Sequence, residues 1–169
     1  MDSANGQIVD VLLVEDDPGD ALLVREALTG SAGSMVRCHV AADGDSAVHF
    51  LQRQEEFAQA PRPRLILLDL NLGAMHGLEI LAKLKADEQL KTIPVVVLSS
   101  SRHPADIHHS YANHASAYVV KPVDLDDFGR AIDVIDACFL RLAEPAPAGG
   151  DADMPVHPVP GIQLAGPVN

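Results

Sequence analysis

The sequence predicts an α/β domain built on a doubly wound, five-stranded parallel sheet with five helices, and three observations carry that expectation. The runs VDVLLV (9–14), apolar but for Asp10, and LILL (65–68), apolar throughout, befit strands covered by helices on both faces. Each such run is followed by a segment whose apolar residues recur at helical spacing. The 169 residues suit one compact domain with some tail rather than two domains.

Val9 to Val14 reads as the first strand. The next stretch, Glu15-Asp16-Asp17-Pro18, starts a helix, because Pro suits a first helical position after an Asp cap. That helix runs through Ala21, Leu22, Val24, Arg25 and Leu28 and stops at Gly30. Met35 to Ala41 is the second strand, and about Asp45 to Gln54 the second helix, with Ala47, Phe50 and Leu51 on one face. A loop with Pro61 and Pro63 precedes the third strand, which delivers Asp69 at its end. Gly77 to Ala86 forms the third helix, Ile93 to Leu98 the fourth strand, Pro104 to Asn113 the fourth helix and Ala117 to Val120 the fifth strand. Asp124 to Leu142 forms the last helix, capped by Asp124, with Phe128, Ile132, Ile135 and Phe139 inward. Three segments follow: an arm at 1–7, the domain at 8–142, and a Pro/Ala/Gly-rich tail at 143–169 expected to be disordered.

A formal net charge of −12 and a pI near 4.8 disfavour attraction to nucleic-acid phosphates or anionic membranes. No uninterrupted apolar stretch approaches the ~18 residues of a membrane span, and the amino terminus lacks a basic flank and apolar core. Cys38 and Cys138 fit neither a zinc motif nor a disulfide framework. The expectation is a cytoplasmic protein with a protein or cation partner.

Ligands of an open α/β sheet bind beyond the carboxyl ends of its strands. Those ends carry Glu15 and Asp16 (first strand), Asp69 (third), Ser99 (fourth) and Lys121 (fifth). Carboxylates so gathered repel: two unit charges about 4 Å apart cost on the order of 4 kcal/mol at an effective dielectric of about 20. An all-oxygen cluster suits a hard divalent cation, Mg²⁺ or Mn²⁺. Asp69 is then placed as a nucleophile for a phosphoryl group, Ser99 and Lys121 to bind its oxygens, and the Asn71 backbone carbonyl to complete the metal ligands. Singly each feature has a plainer reading. A lone Asp at a strand end is more often a turn residue, and Asp17 serves as a helix cap. It is the joint placement that carries the inference.

The residues VEDD (14–17), LLDLNL (67–72), Gly77, PVVVLS (94–99), AY (117–118) and KP (121–122) together resemble the receiver domain of two-component response regulators, over roughly Ile8 to Leu142. The wording VEDDPGDALLVREAL, AQAPRPRLILLDLNL and VVKPVDLDDF is most similar to single-domain regulators paired with bacterial phytochromes. The resemblance implies a flavodoxin-like receiver fold with Asp69 as phosphoacceptor and Glu15, Asp16, Asp69 and the Asn71 carbonyl as Mg²⁺ ligands. It makes Lys121 the phosphate-contacting lysine, Ser99 and Tyr118 the switch pair, and the Lys121–Pro122 bond cis. The implied partners are a sensor histidine kinase, a bacteriophytochrome among the candidates, or a phosphotransfer protein. A second copy is implied through the face of the fourth helix, fifth strand and fifth helix, with Phe139 and Leu140 as candidate contacts.

Two residues depart from the family pattern: Gly73 stands where Pro is common, and His76 where an acid is common. His108, His109 and His114 read as exposed helix polarity. The alternatives are a phosphorylation-inactive interaction module, a haloacid-dehalogenase-type phosphatase and a flavin domain. Asn71 weakens the phosphatase reading, because Asn cannot shuttle the proton that a second Asp would. The acids after the first strand weaken the flavin reading, because they repel phosphate.

Overall fold

The computed structural model describes residues 8–30, 35–73, 75–140 and 162–164. Five parallel strands, β1 (Val9–Val14), β2 (Val36–Ala41), β3 (Leu65–Leu68), β6 (Val95–Ser99) and β7 (Ala117–Val120), form one sheet in the order β2-β1-β3-β6-β7. The five helices are α1 (Pro18–Gly30), α2 (Gly44–Leu51), α3 (Gly77–Ala86), α4 (Pro104–Ala112) and α5 (Leu125–Ile135). Two-residue strands β4 (Asn71–Leu72) and β5 (Met75–His76) make a small hairpin between β3 and α3.

Alternate residues of the strands feed two cores. Leu12, Val14, Ile66, Leu68, Val95 and Val97 pack with α2 and α3, while Val11, Leu13, Leu65, Leu67, Val96 and Leu98 pack with α1 and α5. Both faces are therefore dry, which is why these strands show no polar alternation. The order reverses beside β1, whose first connection runs to β2 and whose other neighbour is β3. That reversal opens the crevice where such sheets bind ligands.

Some boundaries differ from the sequence expectation. The strand β2 starts at Val36 rather than Met35, β6 spans Val95–Ser99 rather than 93–98, and α4 ends at Ala112 rather than Asn113. Asp43 accepts from the Ser46 amide at 2.7 Å and starts α2 at Gly44, one residue early; the helix stops at Leu51, three residues short of Gln54. The last helix is α-helical only to Ile135 and continues as a π-turn, Asp136–Leu140. That wider turn keeps Leu140 in the core with Phe128, Ile132 and Ile135. Residues 141 and 142, the arm at 1–7 and most of the tail lie outside the described residues.

A further strand, β8 (Ile162–Leu164), falls within the segment expected to be disordered and pairs antiparallel with β7. Backbone hydrogen bonding to a free sheet edge needs no particular side-chain pattern, so no apolar period announced it. Every described peptide bond is trans, Lys121–Pro122 included, which corrects the cis bond that the resemblance implied. Trans is the isomer that X–Pro bonds favour by about 0.5–1 kcal/mol. No described helix is long and apolar enough to cross a membrane.

Candidate functional site

Strand register assembles the acids. Val14 pairs with Leu68, so the next residues on the adjacent strands β1 and β3, Glu15 and Asp69, emerge side by side. The Asp69 amide donates to the Val14 carbonyl at 3.1 Å, and the Glu15 amide to the Ala41 carbonyl at 3.0 Å. On the other side Ser99 pairs with Val120, and the Lys121 amide donates to the Ser99 carbonyl at 2.8 Å.

The loop after Asp69 is held tightly. Asp69 Oδ1 accepts from the Asn71 amide at 3.0 Å, and the Gly77 amide donates to the Leu70 carbonyl at 2.8 Å. Gly77 lies so close beneath this loop that a Cβ there would stand 2.3 Å from the Asp69 carbonyl oxygen. Gly73 turns the hairpin at φ +62°, a conformation natural to glycine and closed to proline. His76 caps α3, its Nδ1 accepting from the Leu78 amide at 3.2 Å. This gives the histidine a local purpose an acid could also serve.

Glu15, Asp69 and Ser99 are buried (3%, 6% and 0% exposed), whereas Asp16 faces solvent. The Lys121 ammonium donates to Glu15 Oε2 at 2.6 Å, Asp69 Oδ2 at 2.8 Å and Asp20 Oδ2 at 3.0 Å. Burial alone would lower the Lys121 pKa, but hydrogen bonds to Asp69, Glu15 and Asp20 outweigh it and hold the group charged. Burial pushes the Glu15 carboxyl up to about 7 against the lowering by Lys121 and the Asp17 amide. One ammonium therefore does not satisfy this many acids. Glu15, Asp16 and Asp69 each offer an oxygen within 4.8 Å of the others. That donor set fits a hard divalent cation with open positions.

Asp17 caps as expected, its Oδ1 accepting from the Asp20 amide at 2.8 Å, and its own amide donates to Glu15 Oε1 at 3.1 Å. Asp20 is the site residue that sequence reasoning missed. An acid in the first turn of a helix that springs from a site strand was the available signal. Such a residue already has a reason to be there in the helix dipole.

Behind Ser99, its Oγ accepts from the Ser101 amide at 3.2 Å, and the Tyr118 hydroxyl donates to the Ser101 carbonyl at 2.8 Å. Tyr118 is buried, and its backbone amide donates to the Tyr111 hydroxyl of α4 at 3.1 Å. The two aromatic side chains join the loop after Ser99 to α4. His108, His109 and His114 are exposed. Leu140, named as a contact residue, is buried in the core, and Phe139 is half-buried against it.

The response regulator receiver domain model matches residues 11–133. Response regulator Rcp1 of Synechocystis sp. is 42% identical over 131 residues, which is 78% of this chain and 88% of that protein. Among solved structures, the phosphorylated cyanobacterial phytochrome response regulator RcpA aligns with a TM-score of 0.75 at 40% identity, covering 79% of this chain and 95% of that one. The Mn²⁺-bound form of Rcp1 aligns with a TM-score of 0.73 at 40% identity, covering 82% and 99%. Register, burial and likeness all converge on the crevice between β1 and β3, and the chain belongs to the response regulator receiver domain family.

Proposed function

We propose that this chain is a single-domain response regulator that accepts a phosphoryl group on Asp69 from a sensor histidine kinase. The observation that carries the reading is Asp69 itself: a buried carboxylate at the end of the central strand, beside Glu15 and 2.8 Å from a lysine ammonium. A carboxylate oxygen of Asp69 attacks the phosphorus of a phosphohistidine, the P–N bond breaks, and the imidazole leaves with its electron pair, taking a proton from solvent. Lys121 and the Ser99 hydroxyl receive the phosphoryl oxygens, and the Asn71 amide steadies the attacking carboxylate. Glu15, Asp16, Asp69 and the Asn71 carbonyl would hold Mg²⁺ or Mn²⁺, which when bound neutralises charge on the transferring group. Apart from this self-catalysed transfer and the later hydrolysis of the acyl phosphate, the protein is not an enzyme.

Output runs through protein contacts. Phosphorylation adds about −1.5 to −2 charge beside Ser99. Movement of Ser99 is felt by Tyr118 through their shared neighbour Ser101. The face of α4, β7 and α5 is the surface so altered, and homodimerisation through it, with β8 lying along its β7 edge, is part of the proposal. The likeness to a phytochrome response regulator supports a bacteriophytochrome as the kinase.

The test is the intact mass of the protein after incubation with acetyl phosphate, with Mg²⁺ or with a chelator, beside Asp69→Asn. A Mg²⁺-dependent gain of one phosphoryl group, absent in the variant, is expected. No gain with acetyl phosphate or with a phosphorylated phytochrome kinase would make the chain an interaction module with a silent pocket.

A further inference from the structure

The ammonium of Lys121 has three N–H bonds, and it directs all three at carboxylates: Glu15 at 2.6 Å, Asp69 at 2.8 Å and Asp20 at 3.0 Å. These partners are not equivalent. Glu15 and Asp69 belong to the group of oxygens that fits a cation, and Asp69 is also the proposed phosphoacceptor. Asp20 stands outside that group on the first turn of α1, with 46% of its side chain in solvent against 2% and 8% for the other two. Lys121 is itself mostly covered, at 11%, so an ammonium released by Glu15 and Asp69 without another acceptor would be left unpaired and poorly hydrated. Among the described residues, Asp20 is the acceptor that remains.

We propose that Asp20 is a positioning residue for Lys121. It holds the ammonium at the mouth of the crevice while Glu15 and Asp69 exchange it for a divalent cation, and leaves it within reach of the phosphoryl oxygens. The half concerning the cation needs only the carboxylate cluster; the half concerning the phosphoryl group rests on the function proposed above. The residue acts through the lysine, so its effect must vanish when the lysine is gone.

That dependence defines the experiment. Mg²⁺ affinity of the full chain is measured by calorimetric titration for the wild type, Asp20→Asn, Lys121→Ala and the double variant. Asp20→Asn weakens Mg²⁺ binding by about fivefold to tenfold when Lys121 is present, and by less than about twofold when it is absent, a coupling typical of residues in direct contact. Asp20→Glu, which keeps the carboxylate, recovers most of the affinity. Asp20→Ser repeats the titration with a different uncharged side chain, should Asp20→Asn fold poorly.

Equal weakening in both lysine backgrounds would mean that Asp20 acts only as a distant negative charge, and would overturn the inference. So would an unchanged affinity in Asp20→Asn or Asp20→Ser. A wild-type chain that binds Mg²⁺ with this coupling but takes no phosphoryl group leaves Asp20 in its role and removes the proposed function instead.

Discussion

The Tyr118 hydroxyl reaches the carbonyl of Ser101 at 2.8 Å, so the aromatic ring at the middle of β7 is tied to the loop that begins at Ser99. Tyr118→Phe retains the ring in its buried place and removes the hydroxyl with its bonds to Ser101 and Ser99. A half-buried carbonyl left without its donor costs about 1–2 kcal/mol. Urea denaturation should show a loss of that size with an unchanged slope. No measurable loss would mean that the hydroxyl is not engaged in solution.

Gly77 is the close packing point under the proposed phosphoacceptor. A Cβ at this position would meet the Asp69 carbonyl oxygen at 2.3 Å and the Leu70 Cα at 2.6 Å, both backbone atoms that cannot swing aside. Gly77→Ala should therefore cost about 1–3 kcal/mol of stability. It should also slow phosphorylation by acetyl phosphate by at least about tenfold, because misplacing a reacting atom by about 1 Å can cost ~10². A variant of normal stability and normal rate would show that the loop has slack.

Glu15 is buried among like charges, with the Lys121 ammonium and the Asp17 amide to balance it among the described residues. In the presence of a chelator at neutral pH, Glu15→Gln should be as stable as the wild type or more so, since an amide of the same shape removes repulsion and desolvation cost. Addition of Mg²⁺ should reverse the ranking. A cation at about a hundred times its dissociation constant contributes about 2.7 kcal/mol, and the variant, short of a ligand, receives less. Melting curves with and without Mg²⁺ decide the matter; a wild type indifferent to Mg²⁺ would contradict the site.

Alkaline pH offers a probe of the aromatic pair. The protein has two tyrosines and no tryptophan. Burial pushes both Tyr111 and Tyr118 above the ordinary phenol value of 10.0, although hydrogen bonds partly oppose it. A phenol whose folded pKa is raised contributes stability that is fully present below 10.0 and is lost as pH climbs through the folded value. Ultraviolet titration of the native chain should show phenolate appearing only above pH 10, accompanied by unfolding, whereas the chain in denaturant titrates near the ordinary value. A native midpoint at or below the denatured one would mean that these rings are not buried.

Where side chains alone decide the conformation, the sequence could be read to the residue. The apolar run of β1, the Pro18 start and Gly30 end of α1, Gly77–Ala86 and Ala117–Val120 all fall where their patterns put them. The site acids at the ends of β1 and β3 were legible for the same reason, because strand length fixes where a strand delivers its next residue. Features set by backbone pairing or by surrounding chain were not. Ile162–Leu164 has a partner, β7, but no pattern of its own. The hairpin at Asn71–His76 is too short to have a period, and the π-turn at Asp136–Leu140 moves the inward position from Phe139, where α-helical spacing put it, to Leu140. Asp20 was hidden for another reason: its place in the sequence explained it too well as a helix-start acid.

The pairing of β8 with β7 also bears on solubility. A sheet of parallel strands has two open edges, and a bare edge offers a row of unsatisfied N–H and C=O groups to any strand that meets it. Three residues of chain from beyond the domain suffice to occupy Ala117, Tyr118 and Val119 along one of those edges. Protein shortened after residue 142 would present that row uncovered. It should be more prone to self-association by edge-to-edge β-pairing and to aggregation on storage, even though every residue of the crevice is retained.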